Sequence, residues 1–232
     1  MMNKDTVTDT SMPDRVFEDR RDAGRRLAQA LQRLPLQDPV VFGLPRGGVP
    51  VAFEVAAALD APLDVIVVRK LGAPFQPELA IGAIASGNVR VMNEEIRLAA
   101  WGIDAGEVEA IAARERAELE RRERLYRGGR PLPDVAGRDA ILVDDGLATG
   151  ASMRAAVAAL RARGPARLIV AVPTASPRAV RELERVADRV VCLEAPPDFQ
   201  AVGQFYRRFE QTSDEEVCAL LGRAAGTASP EP

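Results

Sequence analysis

The sequence contains no histidine. That absence removes imidazole-ligated zinc, Ser-His-Asp nucleophile chemistry and histidine general bases from consideration. Cysteine is nearly absent too. Cys192 and Cys218 are the two in the chain; they stand in or beside apolar stretches, and their separation matches no metal-ligand spacing. They read as buried thiols of a protein in a reducing compartment, which makes a cytoplasmic location the expectation. No apolar run approaches the ~20 residues that a membrane-spanning helix needs. Neither sign of charge dominates: 31 basic residues stand against 34 acidic ones, for a net charge of −3. That excludes nucleic-acid binding through a bulk positive field but leaves room for a local cationic site for phosphates. Residues Met1–Pro13 are polar and lack the basic-then-apolar order of a signal peptide, so they are expected to form a disordered lead.

What is present is enough for one core. The chain has 232 residues, 47% of them apolar and 28% charged, the composition of an ordinary globular domain. Two full domains would be cramped at this length. One domain is expected over residues 14–221, followed by a loose Gly/Ala/Ser/Pro tail at 222–232.

Periodicity gives an alternation of strands and helices. Asp19–Leu34 is predicted as an amphipathic helix, with Ala23, Leu27, Ala30, Leu31 and Leu34 on its apolar stripe. A strand at Val40–Phe42, a helix at Val49–Leu59 and a strand at Leu63–Val68 make a βαβ unit with a glycine-rich first turn. Residues 72–133 form an excursion. It holds a hairpin at Leu79–Asn93, a short helix at Glu94–Leu98 and a long charged helix at Asp104–Leu125, and Gly128-Gly129 and Pro131-Leu132-Pro133 close it. The alternation then resumes with strands at Ala140–Val143, Leu168–Val172 and Val190–Leu193 and helices at Ser152–Arg163 and Pro177–Val186. A last small helix at Ser213–Leu221 carries Ser213 and Glu216 at capping-box positions. Crossovers of this kind force parallel pairing and put helices on both faces. If the strand order reverses, a crevice opens at the carboxyl ends of the strands, and two loops would flank it.

The first loop is Gly43-Leu44-Pro45-Arg46-Gly47-Gly48. Gly47 and Gly48 would let backbone amides approach an anion closely, and Arg46 would supply a forked cation. The second is Asp144-Asp145-Gly146-Leu147-Ala148-Thr149-Gly150-Ala151-Ser152. Two adjacent carboxylates at a strand end are costly unless they meet cations or hydroxyls. A ribose diol supplies hydroxyls and Mg²⁺ supplies charge. The small and hydroxylated residues from Ala148 to Ser152 fall where the first amides of a helix are unpaired, which makes a phosphate nest.

The run Val143-Asp144-Asp145-Gly146-Leu147-Ala148-Thr149-Gly150 resembles the signature of type I phosphoribosyltransferases, enzymes that use 5-phosphoribosyl-1-pyrophosphate (PRPP). The stretches GLPRGG, VRKLG and VGQFY are similar to those of a stand-alone group within that family. The resemblance implies a three-layer α/β/α fold with a mostly parallel sheet of about six strands, one antiparallel edge strand and a small C-terminal hood at about 194–221. It implies that Asp144 and Asp145 take the ribose 2′ and 3′ hydroxyls and assist Mg²⁺, mostly through substrate and water. Gly146, Ala148, Thr149, Gly150, Ala151 and Ser152 would hold the 5′-phosphate. Arg46, Gly47 and Gly48 would hold the pyrophosphate in a loop that often contains a non-proline cis peptide. Lys70, beside Arg69 at the end of the second strand, would add a cation; Arg114, Arg116, Arg121, Arg122, Arg124 and Arg127 of the excursion are further candidates.

The implied reaction is displacement at ribose C1 by a small nitrogenous acceptor with release of pyrophosphate, under a mobile cover formed by residues 72–133. Partners would be PRPP and that acceptor, with no nucleic acid and no membrane; a homodimer is compatible with the sequence. One departure matters. Family members that use 6-oxopurines carry an aspartate three residues after the second acid, and here that position is Ala148. The acceptor pocket would come from Pro196, Phe199, Val202, Phe205 and Tyr206, whose other reading is packing against the last strand. The alternative function is a non-catalytic module that senses PRPP or a nucleotide.

Overall fold

The computed structural model describes residues 17–87, 89–93 and 101–227. The polar lead at 1–13 and the helix expected at Glu94–Leu98 lie outside the described residues. Five strands form a parallel sheet: β1 (Val40–Gly43), β2 (Leu63–Val65), β6 (Asp139–Val143), β7 (Arg167–Thr174) and β8 (Arg189–Glu194). Their order across the sheet is β2-β1-β6-β7-β8. The strands alternate faces, as a pleated backbone requires. Val41, Ile141 and Ile169 pack on α1 (Arg20–Leu31) and α2 (Gly48–Leu59) through Leu27, Leu31, Val51 and Val55. Val40, Phe42, Leu142 and Val170 pack on α4 (Ala151–Arg161) and α5 (Pro177–Leu183) through Met153, Leu160, Ala179 and Leu183. This is the three-layer architecture. From β1 the chain steps one way to β2 and the other way to β6, so the order reverses between β1 and β6, the position at which sheets of this kind bind ligands.

The expected second strand, Leu63–Val68, is two elements. Ile66 N still bonds Gly43 O at 3.1 Å, but Val67 exchanges bonds with Ser86: Ser86 N donates to Val67 O at 2.9 Å and Val67 N donates to Ser86 Oγ at 3.0 Å. The chain therefore leaves β1 at Ile66 and enters a second, antiparallel sheet of β3 (Val68–Ala73), β4 (Gln76–Ala85) and β5 (Val89–Met92). The antiparallel element is thus a three-stranded sheet of its own, the parallel sheet has five strands, and Arg69 and Lys70 lie within β3 rather than at a parallel strand's end. This sheet packs on α3 (Ala105–Arg127) and α6 (Asp214–Thr227) through Leu71, Ile81, Ile84, Ile111, Leu119, Val217 and Leu220.

Helix ends follow the local chemistry. Asp19 caps α1 by accepting from Arg21 N and Asp22 N. Asp104 and Glu107 form a capping box on α3, and Gly128 closes it in the left-handed conformation at φ 59°. Ser213 Oγ accepts from Glu216 N at 3.1 Å. The last helix runs on to Thr227, beyond the end expected at Leu221; Ala224 and Ala225 are strong helix formers and carry it past Gly222. No helix among the described residues is long and apolar enough to cross a membrane.

Arg127 joins the two sheets. It is 6% exposed, its Nε donates to Asp64 Oδ1 at 3.2 Å, and its Nη2 donates to Val65 O at 2.9 Å and Ser86 Oγ at 3.1 Å. Burial pushes the Asp64 carboxyl up, and Arg127 pulls it back. Arg127→Met leaves that acid buried without its cation and is expected to cost about 3–5 kcal/mol, read as a fall in the urea midpoint.

Candidate active site

Strand β6 is buried along its whole length and delivers two acids to its carboxyl end, at the point of strand reversal. Asp145 N donates to Asp144 Oδ1 at 2.9 Å. Burial pushes the Asp144 carboxyl well above the ordinary range, and the charge of Asp145 pushes it further. Burial also raises Asp145, opposed by the Arg20 guanidinium. Paired acids whose ionisation burial opposes mark a candidate functional site.

The first loop lies directly against them. Leu44 N donates to Val143 O at 2.9 Å, and the peptide between Pro45 and Arg46 is cis. A methyl group on Gly48 would stand 2.7 Å from Val143 O and 2.9 Å from Asp144 Cα, and one on Gly47 would stand 2.1 Å from Asp145 Oδ2. Only glycine lets the loops meet this closely. Gly48→Ala is expected to lose about 1–3 kcal/mol, because its neighbours are backbone and cannot yield; urea denaturation measures it.

The second loop is laced to the end of β7. Leu147 N donates to Thr174 O at 3.0 Å, Ser176 N to Leu147 O at 2.8 Å and Ser176 Oγ to Ala148 O at 2.6 Å. Ser176 thus does two things: it also caps α5 through Ala179 N at 3.1 Å. Gly150 enters α4 at φ 68° with no side-chain cap on the helix. Ala148 and Thr149 are exposed, and Ala151 and Ser152 are half-buried. Apart from a long bond from Ala151 N to Thr149 Oγ1 at 3.5 Å, the start of α4 is uncapped, an arrangement that suits an anion.

A cleft of about 590 Å³ adjoins this nest, walled by Lys70, Gly72, Pro74, Arg114 and Ser152 among others. Lys70 and Ser152 are brought together there, although Lys70 comes from the antiparallel sheet. Arg69 lines the cleft as well, but it is paired there: its Nε and Nη2 donate to Glu115 Oε2, also in the wall, at 2.9 and 2.7 Å. Asp144, Asp145 and Arg46 are not among the cleft's walls; they lie across the loop, under a different cover. Arg46 stands with Nη1 4.0 Å from Asp214 Oδ1, an oxygen that also accepts from Tyr126 Oη at 2.6 Å.

The cover over the acids is the C-terminal segment. Val202 sits where a side chain on Gly146 would stand, 2.6 Å from its Cγ1. Phe205 and Tyr206 are buried with Phe17 and Ala23, with Leu193 of the last strand packed against them, and Phe199 stacks on Phe205 at 5.4 Å. This stretch packs as a small core against the last strand and, through Val202, covers the second loop. Tyr206 Oη donates to Asp145 O at 2.6 Å, and Arg20 Nε donates to Asp145 Oδ2 at 2.8 Å. Sequence reasoning missed Arg20, Tyr126 and Asp214, whose long-range contacts leave no local mark; it gave Tyr206 to packing or base stacking, although the VGQFY stretch marked its place.

For a divalent cation the donor set is two carboxylates. No group of three or more acidic or cysteine side chains suited to a metal occurs among the described residues. Mg²⁺ is commonly held by one or two carboxylates together with substrate phosphates and water, and the pair fits an ion that arrives with its substrate.

Residues 17–210 match the family model described as Phosphoribosyl transferase domain, and the chain belongs to that family. Among its relatives is Rv0571c of Mycobacterium tuberculosis, provisionally named a phosphoribosyl transferase, which is 52% identical over 210 residues. That match covers 90% of this chain and 47% of the relative, so the chain spans about half the length of the curated relatives it matches. The crystal structure of TT1426 from Thermus thermophilus is 50% identical, with a TM-score of 0.78, over 89% of this chain and 97% of that one.

Proposed function

We propose that this site binds PRPP with Mg²⁺ and transfers its phosphoribosyl group to a nitrogenous acceptor. The observation that carries this reading is the half-buried acid pair wedged between a diglycine loop and an uncapped helix start at the strand reversal. Asp144 and Asp145 accept hydrogen bonds from the ribose 2′ and 3′ hydroxyls. The amides and hydroxyls from Ala148 to Ser152 hold the 5′-phosphate at the positive end of α4. The amides of Gly47 and Gly48 receive the pyrophosphate, with Arg46 and Lys70 as cations. Asp144 and Asp145, together with substrate oxygens, would hold Mg²⁺, which would supply charge to neutralise the pyrophosphate.

In the reaction the C1–oxygen bond to pyrophosphate breaks, a C1–nitrogen bond forms, and the proton of the acceptor nitrogen passes to the departing pyrophosphate. The residues around the site supply position and charge rather than a nucleophile. The turn between β3 and β4, with Pro74 in the cleft wall and Phe75 at 81% exposure, is our candidate for a cover that excludes water.

The test is pyrophosphate release from Mg-PRPP with adenine, hypoxanthine, guanine, xanthine, uracil, orotate and small amines. Release with one acceptor supports the transferase and names its substrate. Tight PRPP binding with no release across the panel favours a sensing module instead.

A further inference from the structure

Arg20, the first residue of α1, is drawn into the site from the far end of the chain. Its side chain is 13% exposed and that of Asp145 14%, so the pair is shielded. Nε donates to Asp145 Oδ2 at 2.8 Å, and Nη1 donates to Glu210 O at 2.7 Å. The guanidinium lies over the Phe209 ring, 4.0 Å from its centroid. Phe209 stacks on Tyr206 at 4.9 Å, and the Tyr206 hydroxyl returns to Asp145 O at 2.6 Å. The contacts close a circuit: the Asp145 carboxylate, Arg20, the 209–210 backbone and ring, Tyr206, and the Asp145 carbonyl. A methyl group on Gly47 would stand 2.1 Å from Asp145 Oδ2 and 3.3 Å from Arg20 Nε, so the pair also sits on the diglycine loop.

The geometry points to Arg20 as the positioning residue of the ribose half of the site, coupling the Asp145 carboxylate to the C-terminal cover; this rests on the phosphoribosyl reading above. Arg20 occupies Oδ2, which leaves Oδ1 as the oxygen offered to a ribose hydroxyl and stops the carboxylate from rotating. The role needs a fork, because two donors on one planar group reach two acceptors, and a lysine ammonium cannot span both while stacking on a ring. A plain structural clasp is already present without it. Arg208 pairs with Asp19 at 2.9 Å, and Phe17 N bonds Phe205 O at 2.7 Å while Arg207 N bonds Phe17 O at 2.9 Å. The cover therefore has other ties to the start of α1.

The test uses the full chain with Arg20→Gln, Arg20→Lys and, as the clasp control, Arg208→Gln. Two probes are titrated calorimetrically: Mg-PRPP, and Mg-pyrophosphate, which has no ribose. Arg20→Gln is expected to weaken Mg-PRPP by about tenfold or more, the loss of one charge-assisted contact, and to leave Mg-pyrophosphate unchanged. Arg20→Lys recovers part of the PRPP affinity, and it carries the comparison if the glutamine variant does not fold. Arg208→Gln changes neither. In the absence of ligand, amide hydrogen exchange is expected to rise at both 144–147 and 205–210 in Arg20→Gln, and only at 205–210 in Arg208→Gln. Equal weakening of both probes, or a rise at 205–210 alone in Arg20→Gln, reduces Arg20 to a clasp and overturns the proposal. If the unaltered protein binds no Mg-PRPP, the phosphoribosyl reading falls, and the paired rise in exchange alone decides for or against the coupling.

Discussion

With Asp144→Asn and Asp145→Asn combined, Mg-PRPP binding is lost by roughly 10²–10⁴-fold while the protein stays folded. Each acid is assigned at least one charge-assisted hydrogen bond to a ribose hydroxyl, at about 1.5–3 kcal/mol apiece. Neither contributes much apolar packing. Asp144→Asn alone has a second expected effect, on stability. Burial and the neighbouring Asp145 charge raise the Asp144 carboxyl above its usual 3.8. A group raised in the folded state contributes stability that is fully present below its unfolded pKa and is lost as pH rises through the folded value. At neutral pH burying this carboxyl is therefore a cost. Asparagine keeps the oxygen that accepts from Asp145 N and removes the charge. Asp144→Asn should melt higher than the parent at pH 7, by about 2–4 °C for each 1 kcal/mol relieved, and the gain should vanish near pH 4. A melting point lowered at pH 7 would show that Asp144 supports the fold rather than the ligand. Calorimetry with Mg-PRPP and melting curves at the two pH values read both effects.

Hypoxanthine and guanine are expected to be poor acceptors, by roughly 10²–10⁴-fold against the best base in the panel. The position three residues after Asp145 is Ala148, exposed, with its carbonyl tied to Ser176 Oγ at 2.6 Å. An acceptor nitrogen attacks C1 more readily when a neighbouring group takes a ring proton, and a methyl group cannot. Ala148→Asp supplies the complementary test: it should raise pyrophosphate release with hypoxanthine relative to adenine. Equal rates for hypoxanthine and any other base in the unaltered protein would remove Ala148 as the determinant.

The parts of this site that a reader of the sequence can see are those built from contiguous residues. The acid pair, the diglycine turn and the small-residue helix start each follow an apolar strand, and strand, loop and helix start all fall in one short window. Asp104, Ser176 and Ser213 announce their helix ends through side chains that reach only three residues. The split at Ile66 is hidden because Val67 and Val68 continue the β-branched run across it. What changes there is the partner of the backbone, from Gly43 to Ser86. Arg20 is hidden for the same kind of reason. It lies 125 positions from Asp145 and 190 from Glu210, and at the start of an amphipathic helix it looks like any solvated arginine. Lys70 reaches the cleft by a route the sequence hides: it lines the same cleft as Ser152 from the antiparallel sheet, not from the end of a parallel strand.

The most direct measurement is a calorimetric titration of the unaltered protein with Mg-PRPP, set beside ribose 5-phosphate and Mg-pyrophosphate. A phosphoribosyl site predicts saturable heat with one PRPP per chain, tighter than either fragment, since the fragments each fill only part of the acid pair, the nest and the diglycine loop. No heat and no thermal shift with Mg-PRPP would contradict it.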